Sequence, residues 1–497
     1  MIAKLSWHKI HGTGIPQAQI CRRYVSNLNR VRDKRVFDDK SVDLLLKYAK
    51  DPELVREVLR QADSIGYTSS HYWYEPLEEQ ISRFEMDNHV YRGHLKAFKR
   101  AKAKLKHELK RVRLTMLQYS TDQDIVDSLP RKDTHAGFEY LITGLREKGE
   151  YAEGILKRQL TVEEIAKSDG NFNAPILIGS RTQASSCFEE DGNFKAEFKK
   201  KVRLVSMVTI SQIVTEMRWS IPVQAMLGSL RWYAGGKNDS GINTLLNQGR
   251  EDFKEWLSID YSAYDQTISQ WLIREAFELI EELFIHDPCH DSALFKAVVN
   301  SFCIKSFVDG KGDLRRSVKG IPSGSMFTQI IGSIINRLMI DTYLESKSEN
   351  FPRAMLIMGD DNIIFTREKL DAEDLSGYLL YNFGVHVSAL KSTSGSLIDD
   401  PSFLSKRWSR VGGYRDWKTL VLKLAYPERF RNHSRVVHGP AMVLYSYYLA
   451  YPVSMRNLID TQQFLADYPT LRRSDVLEKG YGLSGYYSYY YNYVSLT

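Results

Sequence analysis

The sequence predicts an α+β fold, and three observations carry that expectation. Between Leu257 and Phe365 short apolar strands, acidic turns and one long apolar helix follow one another. The residues before this stretch read as a large mixed region, and those after Pro401 as helical and aromatic. No internal repeat and no long Gly-, Ser- or Pro-rich linker interrupts the 497 residues, so the lobes are expected to pack closely. With 43% hydrophobic and 26% charged residues the chain can bury a sizeable core, which excludes a wholly disordered protein.

Arg92 to Leu114 reads as a basic helix. Leu95, Phe98, Leu105, Leu109 and Val112 fall near helical spacing, while Lys96, Lys99, Arg100, Lys102, Lys104, Lys106, Lys110 and Arg111 crowd the other faces. Two readings stand side by side: a solvated helix face, or the wall of a channel that neutralises phosphates without reading sequence. The net charge of +7 suits a polyanionic partner without identifying one. Cys21, Cys187, Cys289 and Cys303 form no CxxC pair, which fits a reducing compartment. The first ten residues hold Lys4, His8 and Lys9 rather than a secretory apolar run, and no stretch approaches the length of a membrane span. The expectation is a protein without a membrane anchor, working inside a cell or a particle.

The chemistry sits on carboxylates. Trp256 to Asp260 reads as a buried strand ending in an acid, followed by a turn through Asp265 into a helix running past Trp271, Ala276, Leu279 and Leu283. A buried acid needs a cation or hydrogen bonds to offset its desolvation, although Asp260 alone would serve as a helix cap. Ala354 to Met358 is an apolar strand, Gly359-Asp-Asp-Asn362 a tight turn, and Ile363 to Phe365 a returning strand. Like charges held close at such a tip favour a bound cation. If the Asp260 strand lies beside this hairpin, Asp260, Asp360 and Asp361 converge, and their hard oxygens suit Mg²⁺ or Mn²⁺.

Between these segments, Gly320-Ile-Pro-Ser-Gly-Ser-Met-Phe-Thr328 is a small-residue loop leading into a helix through Ile330, Ile334 and Leu338. Its glycines permit close backbone approach to a ligand and its hydroxyls can bond a ribose. Thr328, Gly332 and Asn336, spaced four apart, share one face of that helix. The cluster His286-Asp-Pro-Cys289-His290 reads as a helix-ending loop, since ligands this local rarely close a zinc site without a partner stretch.

In this order the segments resemble the palm motifs of viral RNA-dependent RNA polymerases. Asp260-x4-Asp265 resembles motif A, Ser323-Gly324-x3-Thr328 motif B, and Gly359-Asp360-Asp361 motif C. The loop wording, with Ser333 and Asn336 downstream, is most similar to enzymes of small double-stranded RNA viruses of the partitivirus and picobirnavirus kind. The likeness covers roughly residues 200 to 410.

That resemblance implies a right hand of fingers, palm and thumb, with a small antiparallel palm sheet. The expected boundaries are 1–250 for the N-terminal region and fingers, 251–410 for the palm with a fingers insertion about 285–315, and 411–497 for the thumb and its Tyr-rich tail. It implies two metal ions, Mg²⁺ or Mn²⁺, on Asp260, Asp360 and Asp361. It also implies nucleotide contacts from Lys201 and Arg203 (within 199–203, resembling motif F), Asp265, Ser323, Gly324, Thr328 and Asn336. Lys391, in the motif-D-like stretch 383–391, would be the general acid, and Phe403 to Arg407 resembles motif E. One departure stands out: the position four residues after Thr328, often Asn in single-stranded RNA virus enzymes, is Gly332. Expected partners are template and nascent RNA, ribonucleoside triphosphates and a capsid protein, with no membrane; the expected location is the virion interior and the host cytoplasm. Two rivals are a reverse transcriptase, which usually places a bulky aromatic where this chain has Asp265, and a non-catalytic RNA-binding, capsid-associated protein, which leaves the acids unexplained.

Overall fold

The structure, a computed structural model, describes residues 37–471 except 65–76, 86–87, 92–94, 131, 133, 144–146, 152–154, 185–199, 310, 390 and 428–437. Arg92, Lys199 and the Tyr-rich end lie outside the described residues. The chain forms two compact units. One holds the described residues within 78–179 and 205–404, the other those within 28–77, 180–204 and 405–497.

In the first unit the helices that matter here are α1 (Leu77–Glu85), α2 (Leu95–Leu109), α3 (Ile155–Asp169), α4 (Ile210–Ser229), α5 (Asp239–Asp252), α6 (Gln270–Glu281), α7 (Ser292–Cys303), α8 (Thr328–Lys347) and α9 (Ala372–Phe383). The strands are β1 (Leu177–Ala184) and β2 (Lys200–Met207), each crossing a unit boundary, then β3 (Glu255–Ser258), β4 (Lys305–Val308), β5 (Leu314–Ser317), β6 (Arg353–Met358), β7 (Asp361–Thr366) and β8 (Thr393–Ser396). A four-stranded antiparallel sheet runs in the order β6-β7-β3-β8, so β3 is central although it comes first in sequence. Its register pairs Leu257 with Ile364 on one side and with Ser394 on the other. The free edge of β6 is covered by residues 232–234, with Ile357 N–H donating to Trp232 O at 2.7 Å and Ala234 N–H to Ile357 O at 2.9 Å.

α8 is buried on nearly every face, with Ile330, Ile331, Ile334, Ile335, Leu338 and Met339 all inside. A helix of that kind belongs in the middle of a core. Here it packs on β6, α6 and α2. α6 buries only its Leu272, Ile273, Ala276, Phe277, Leu279, Ile280 stripe, as its amphipathic spacing requires. Gly249 of α5 is small for a reason: a Cβ there would lie 2.6 Å from the Phe365 ring of β7.

The basic helix exists, but shorter and differently used than the sequence suggests. Leu95 and Val112 are exposed, while Ala97, Phe98, Ala101, Leu105 and Leu109 form the buried face. Lys102 pairs with Glu275 at 2.5 Å and Glu278 at 2.9 Å, and Lys106 and Lys110 both reach Glu282. Lys104 meets the buried Glu345 at 2.5 Å, and Arg100 reaches Glu349 at 2.9 Å. Five of the eight basic residues thus bind carboxylates of α6, α8 and the segments that follow them. The phosphate-wall reading is corrected for these five, because their charge is already matched within the unit.

The second unit gathers helices Asp39–Tyr48 and Pro52–Ser64 with Trp417–Ala425, Gly439–Ala450, Pro452–Leu458 and Thr461–Asp467. Val42, Leu45, Val55 and Val58 are buried in one cluster with Leu420, Val421, Leu444 and Met455. The compact units therefore do not follow the linear division at 250 and 410. Apolar stripes from opposite ends of the chain complete one core, and sequence order carries no trace of that pairing.

Glu345 is buried and also receives Arg353 at 3.4 Å and Arg100 at 3.6 Å. Glu345→Ala removes the carboxylate shared by Lys104, Arg353 and Arg100, of which Arg353 keeps Asp341 and Arg100 keeps Glu349, and an unfolding free energy lower by about 3 kcal/mol is expected. A denaturant titration showing less than about 1 kcal/mol of loss would show that solvent takes over the role.

Candidate active site

Asp260 follows the central strand and is exposed, with the buried Ile259 behind it. Its backbone is gripped by the 388–392 turn: Ser388 N–H donates to Asp260 O at 2.8 Å, and Asp260 N–H to Ser392 Oγ at 3.2 Å. Lys391 is exposed on that same turn. The structure thus brings the candidate general acid's backbone beside the candidate metal ligand's.

The acidic hairpin is tighter than the sequence suggests. Met358 pairs directly with Asp361, so only Gly359 and Asp360 form the turn and Asp361 opens β7. Gly359 has φ +64, which explains glycine there without any crowding around it. Asp360 is exposed and Asp361 half-buried.

Two asparagines hold the turn against its neighbours. Asn362 Oδ1 accepts from Ile259 N–H at 3.2 Å, while its Nδ2 donates to Ile259 O at 3.3 Å and to Asp360 O at 3.1 Å. One amide therefore ties the residue before Asp260 to the tip that carries Asp360. Asn336, on α8, donates to Gly359 O at 2.9 Å and Asp360 O at 3.2 Å, and accepts from Tyr261 Oη at 2.8 Å. Ser333 Oγ accepts from Gly359 N–H at 2.8 Å. The backbone polar groups of the tip are thus satisfied from α8 and from Asn362 on the hairpin's own returning strand.

Asn336 is fully buried and its amide is engaged on both atoms. The expectation that it contacts a ribose is corrected: it packs, and it positions the turn. Gly332 also finds its reason, because its Cβ position faces Gly359 Cα at 3.5 Å and its carbonyl accepts from Tyr264 Oη at 2.7 Å. A Cβ at that position would rest in ordinary contact with the acidic turn.

Tyr261 and Tyr264 are buried one turn apart, and Ala263 between them has φ 54, a left-handed conformation uncommon outside glycine. Burial drives both phenols well above their usual range. The Asp360 carboxylate adds to this for both rings, and Asp265 for Tyr264. Negative charges from the hairpin tip and from the motif-A-like turn therefore face the same pair of rings.

The small-residue loop docks on that turn. Ile321 N–H donates to Asp265 O at 2.6 Å, and Gly320 N–H to Ile268 O at 2.8 Å. Gly320 has φ +76. Gly324 has no room for a Cβ, which would stand 1.9 Å from Ser206 O. Ser206 N–H donates to Ser323 Oγ at 2.9 Å, leaving that exposed hydroxyl its own proton to donate. Thr328 Oγ1 turns inward, 2.6 Å from Pro322 O, and shapes the loop. Asp265 is half-buried beside it.

Lys201 and Arg203 lie on β2, in residues of the other compact unit, with Arg203 exposed. The His286–His290 cluster is a loop after α6: Trp219 Nε1 donates to His290 Nδ1 at 3.2 Å, and Asp287 accepts from Met116 N–H at 2.6 Å. Sequence reading missed Asn362, Tyr261 and Tyr264; a polar residue just inside an apolar returning strand was the available signal for the first.

Among the described residues no three carboxylate, imidazole or thiolate side chains close around a common point. The donor set nevertheless fits a hard divalent cation. Asp260, Asp360 and Asp361 offer oxygen alone; Asn362 and Asn336 fix the backbone of Ile259, Gly359 and Asp360, and Ser388 and Ser392 that of Asp260.

Residues 232–428 match the family model described as viral RNA-dependent RNA polymerase. The RNA-directed RNA polymerase of Cryptosporidium parvum virus 1 is 27% identical over 188 residues, 37% of this chain and 35% of that protein. That of Atkinsonella hypoxylon virus is 33% identical over 132 residues, 23% of this chain and 19% of the relative. The chain therefore spans about a third of the first relative's length, or less for the second. The crystal structure of the RNA-dependent RNA polymerase of a human picobirnavirus has a TM-score of 0.60 at 15% identity, covering 96% of this chain and 88% of that one, so the two share a fold. The acids, side-chain hydroxyls and side-chain amides of the site just described all lie within residues 232–428, the segment that matches the viral RNA-dependent RNA polymerase model.

Proposed function

We propose that this chain is a template-directed RNA polymerase of the double-stranded RNA virus type, and that the four-stranded sheet is its palm. The observation that carries the reading is the double amide clamp, which seats the end of the Asp260 strand beside the Asp360–Asp361 hairpin within the family-matched segment. In this reading the residues from 405 onward belong with the thumb and β2 with the fingers. The triphosphate role of Lys201 and Arg203 rests on their chemistry and sequence position, a guanidinium fork suiting phosphate oxygens.

Asp260, Asp360 and Asp361 would hold the divalent cations. When bound, a pair of such ions lowers the pKa of an attacking hydroxyl and neutralises a leaving pyrophosphate. The chain's own residues supply position. The clamp presents the carboxylates on fixed backbone, so little reorganisation is needed when the 3′-hydroxyl of a nascent strand meets the α-phosphate. Ser323, with a proton to donate, and Asp265, an acceptor, face the sugar, and both tolerate a 2′-hydroxyl. Lys391 protonates the leaving group from the turn that grips Asp260. Base pairing with the template supplies sequence choice, which leaves few side chains needing to read bases. A bulky aromatic at 265 would instead exclude the ribose, so the reverse-transcriptase reading is disfavoured. RNA, ribonucleoside triphosphates and divalent cations are the partners this chemistry calls for; a capsid protein and work inside a particle follow from the viral likeness alone.

The direct test supplies purified protein with single-stranded RNA, four ribonucleotides and Mg²⁺ or Mn²⁺. Template-dependent incorporation is expected, and binding of RNA with no incorporation under either cation would favour the non-catalytic reading. Asp360→Ala is expected to fold normally, because the exposed side chain is removed while its backbone carbonyl keeps the bonds from Asn336 and Asn362. Elongation should fall by more than about a hundredfold, and near-normal elongation would refute the ligand assignment. Asp265→Tyr is expected to reduce incorporation of ribonucleotides relative to deoxyribonucleotides. An unchanged ratio would show that the sugar is read elsewhere.

A further inference from the structure

Two ionisable side chains lie in the core of the first unit with no charged group bonded to either. Glu216, on α4, is fully buried. One of its carboxylate oxygens accepts from Gln212 Nε2 at 2.8 Å, and the other from Ser325 Oγ and Met326 N–H, both at 2.8 Å. Lys305, at the start of β4, is also buried. Its ammonium donates to the carbonyls of Phe302, Lys319 and Gly320 at 2.9, 2.8 and 2.7 Å, which uses all three N–H bonds. The Phe84 ring lies 5.9 Å away.

Both groups end on one stretch of chain. Lys305 holds the backbone entering the small-residue loop, and Glu216 holds the backbone leaving it. Between the two holds stand Ser323 and Gly324, backed onto β2 through Ser206. An apolar side chain would fill either place at less desolvation cost, so stability alone gives no reason for a carboxylate and an ammonium there. What an apolar residue cannot do is accept from two loop donors at once, or bind three carbonyls converging on one point.

We infer that Glu216 and Lys305 are positioning residues which clamp the two ends of the 319–326 loop, so that Ser323 meets the nucleotide's sugar in one fixed geometry. Neither touches substrate. The reach of each is indirect: Lys305 sets where Gly320 turns at positive φ, and Glu216 sets where Ser325 and Met326 lead into α8. Burial pushes Glu216 up to about 7 and Lys305 down to about 7, consistent with groups kept in place despite the desolvation they suffer. The inference rests on the polymerase reading for its consequence, and on the hydrogen bonds alone for the clamp.

The test compares Glu216→Leu, Glu216→Gln and Lys305→Met with the wild-type chain in two measurements. In hydrogen exchange, the amides of 319–328 should exchange faster in Glu216→Leu and Lys305→Met, with the sheet strands unchanged. Glu216→Gln, whose amide oxygen still accepts from the loop, should stay near wild type. In ribonucleotide incorporation, Glu216→Leu and Lys305→Met should raise the KM for nucleotide about tenfold, with kcat and RNA-template affinity within about threefold. Unchanged loop exchange in both variants, or an equal rise across the whole unit, would overturn the clamp. Loosened loops with an unchanged nucleotide KM would overturn its link to the sugar. A wild-type chain that incorporates nothing would sink the polymerase reading separately, and loop exchange would still decide on the clamp.

Discussion

Everything at the candidate site depends on primary amides that bridge backbones. The Gly359–Asp360 tip carries one exposed carboxylate, and Asp361 follows it at the start of β7. Asn362 and Asn336 hold it because an amide is both donor and acceptor, able to bond an N–H and a C=O of different segments at the same time. A serine or an aspartate could meet only part of that demand. With the amides in place, Ile259 and Asp360 share one partner, and the spacing of the carboxylates follows from the backbone rather than from flexible side chains.

The loop before α8 obeys a different constraint, that of space. Gly324 abuts the Ser206 carbonyl so closely that no other residue fits, and Gly332 lies against Gly359 on the acidic turn. Small residues here let three backbones approach, and hydroxyls then fill the remaining bonds. Ser333 and Thr328 face inward to structure, whereas Ser323 is exposed. The division of labour among similar residues is set by which way each points from a common backbone, not by residue type.

Charge is handled by pairing inside the unit more than by display. α2 carries a dense run of Lys and Arg, yet Glu275, Glu278, Glu282, Glu345 and Glu349 receive five of them. A basic run marks a nucleic-acid surface only when its counter-charges are absent, and those lie more than 160 residues further along the chain. The net excess of +7 says that basic groups outnumber acids, without saying which of them face a ligand.

The local grammar of the chain determined a good deal by itself. Apolar runs on either side of an acidic turn marked the hairpin, the run of isoleucines marked α8 as a central helix, and the glycines marked where backbones come close. These are consequences of short-range periodicity and of conformational freedom, which neighbours in sequence express directly. Only the tertiary structure decided that Asn336 packs instead of facing a ribose, that Asn362 joins two strands, that Glu216 and Lys305 address one loop, and that residues 39–64 share a core with 417–467. Each of those depends on groups brought together from distant parts of the chain. A side chain's hydrogen-bond capacity is written in its identity, but its partner is chosen by the path of the backbone.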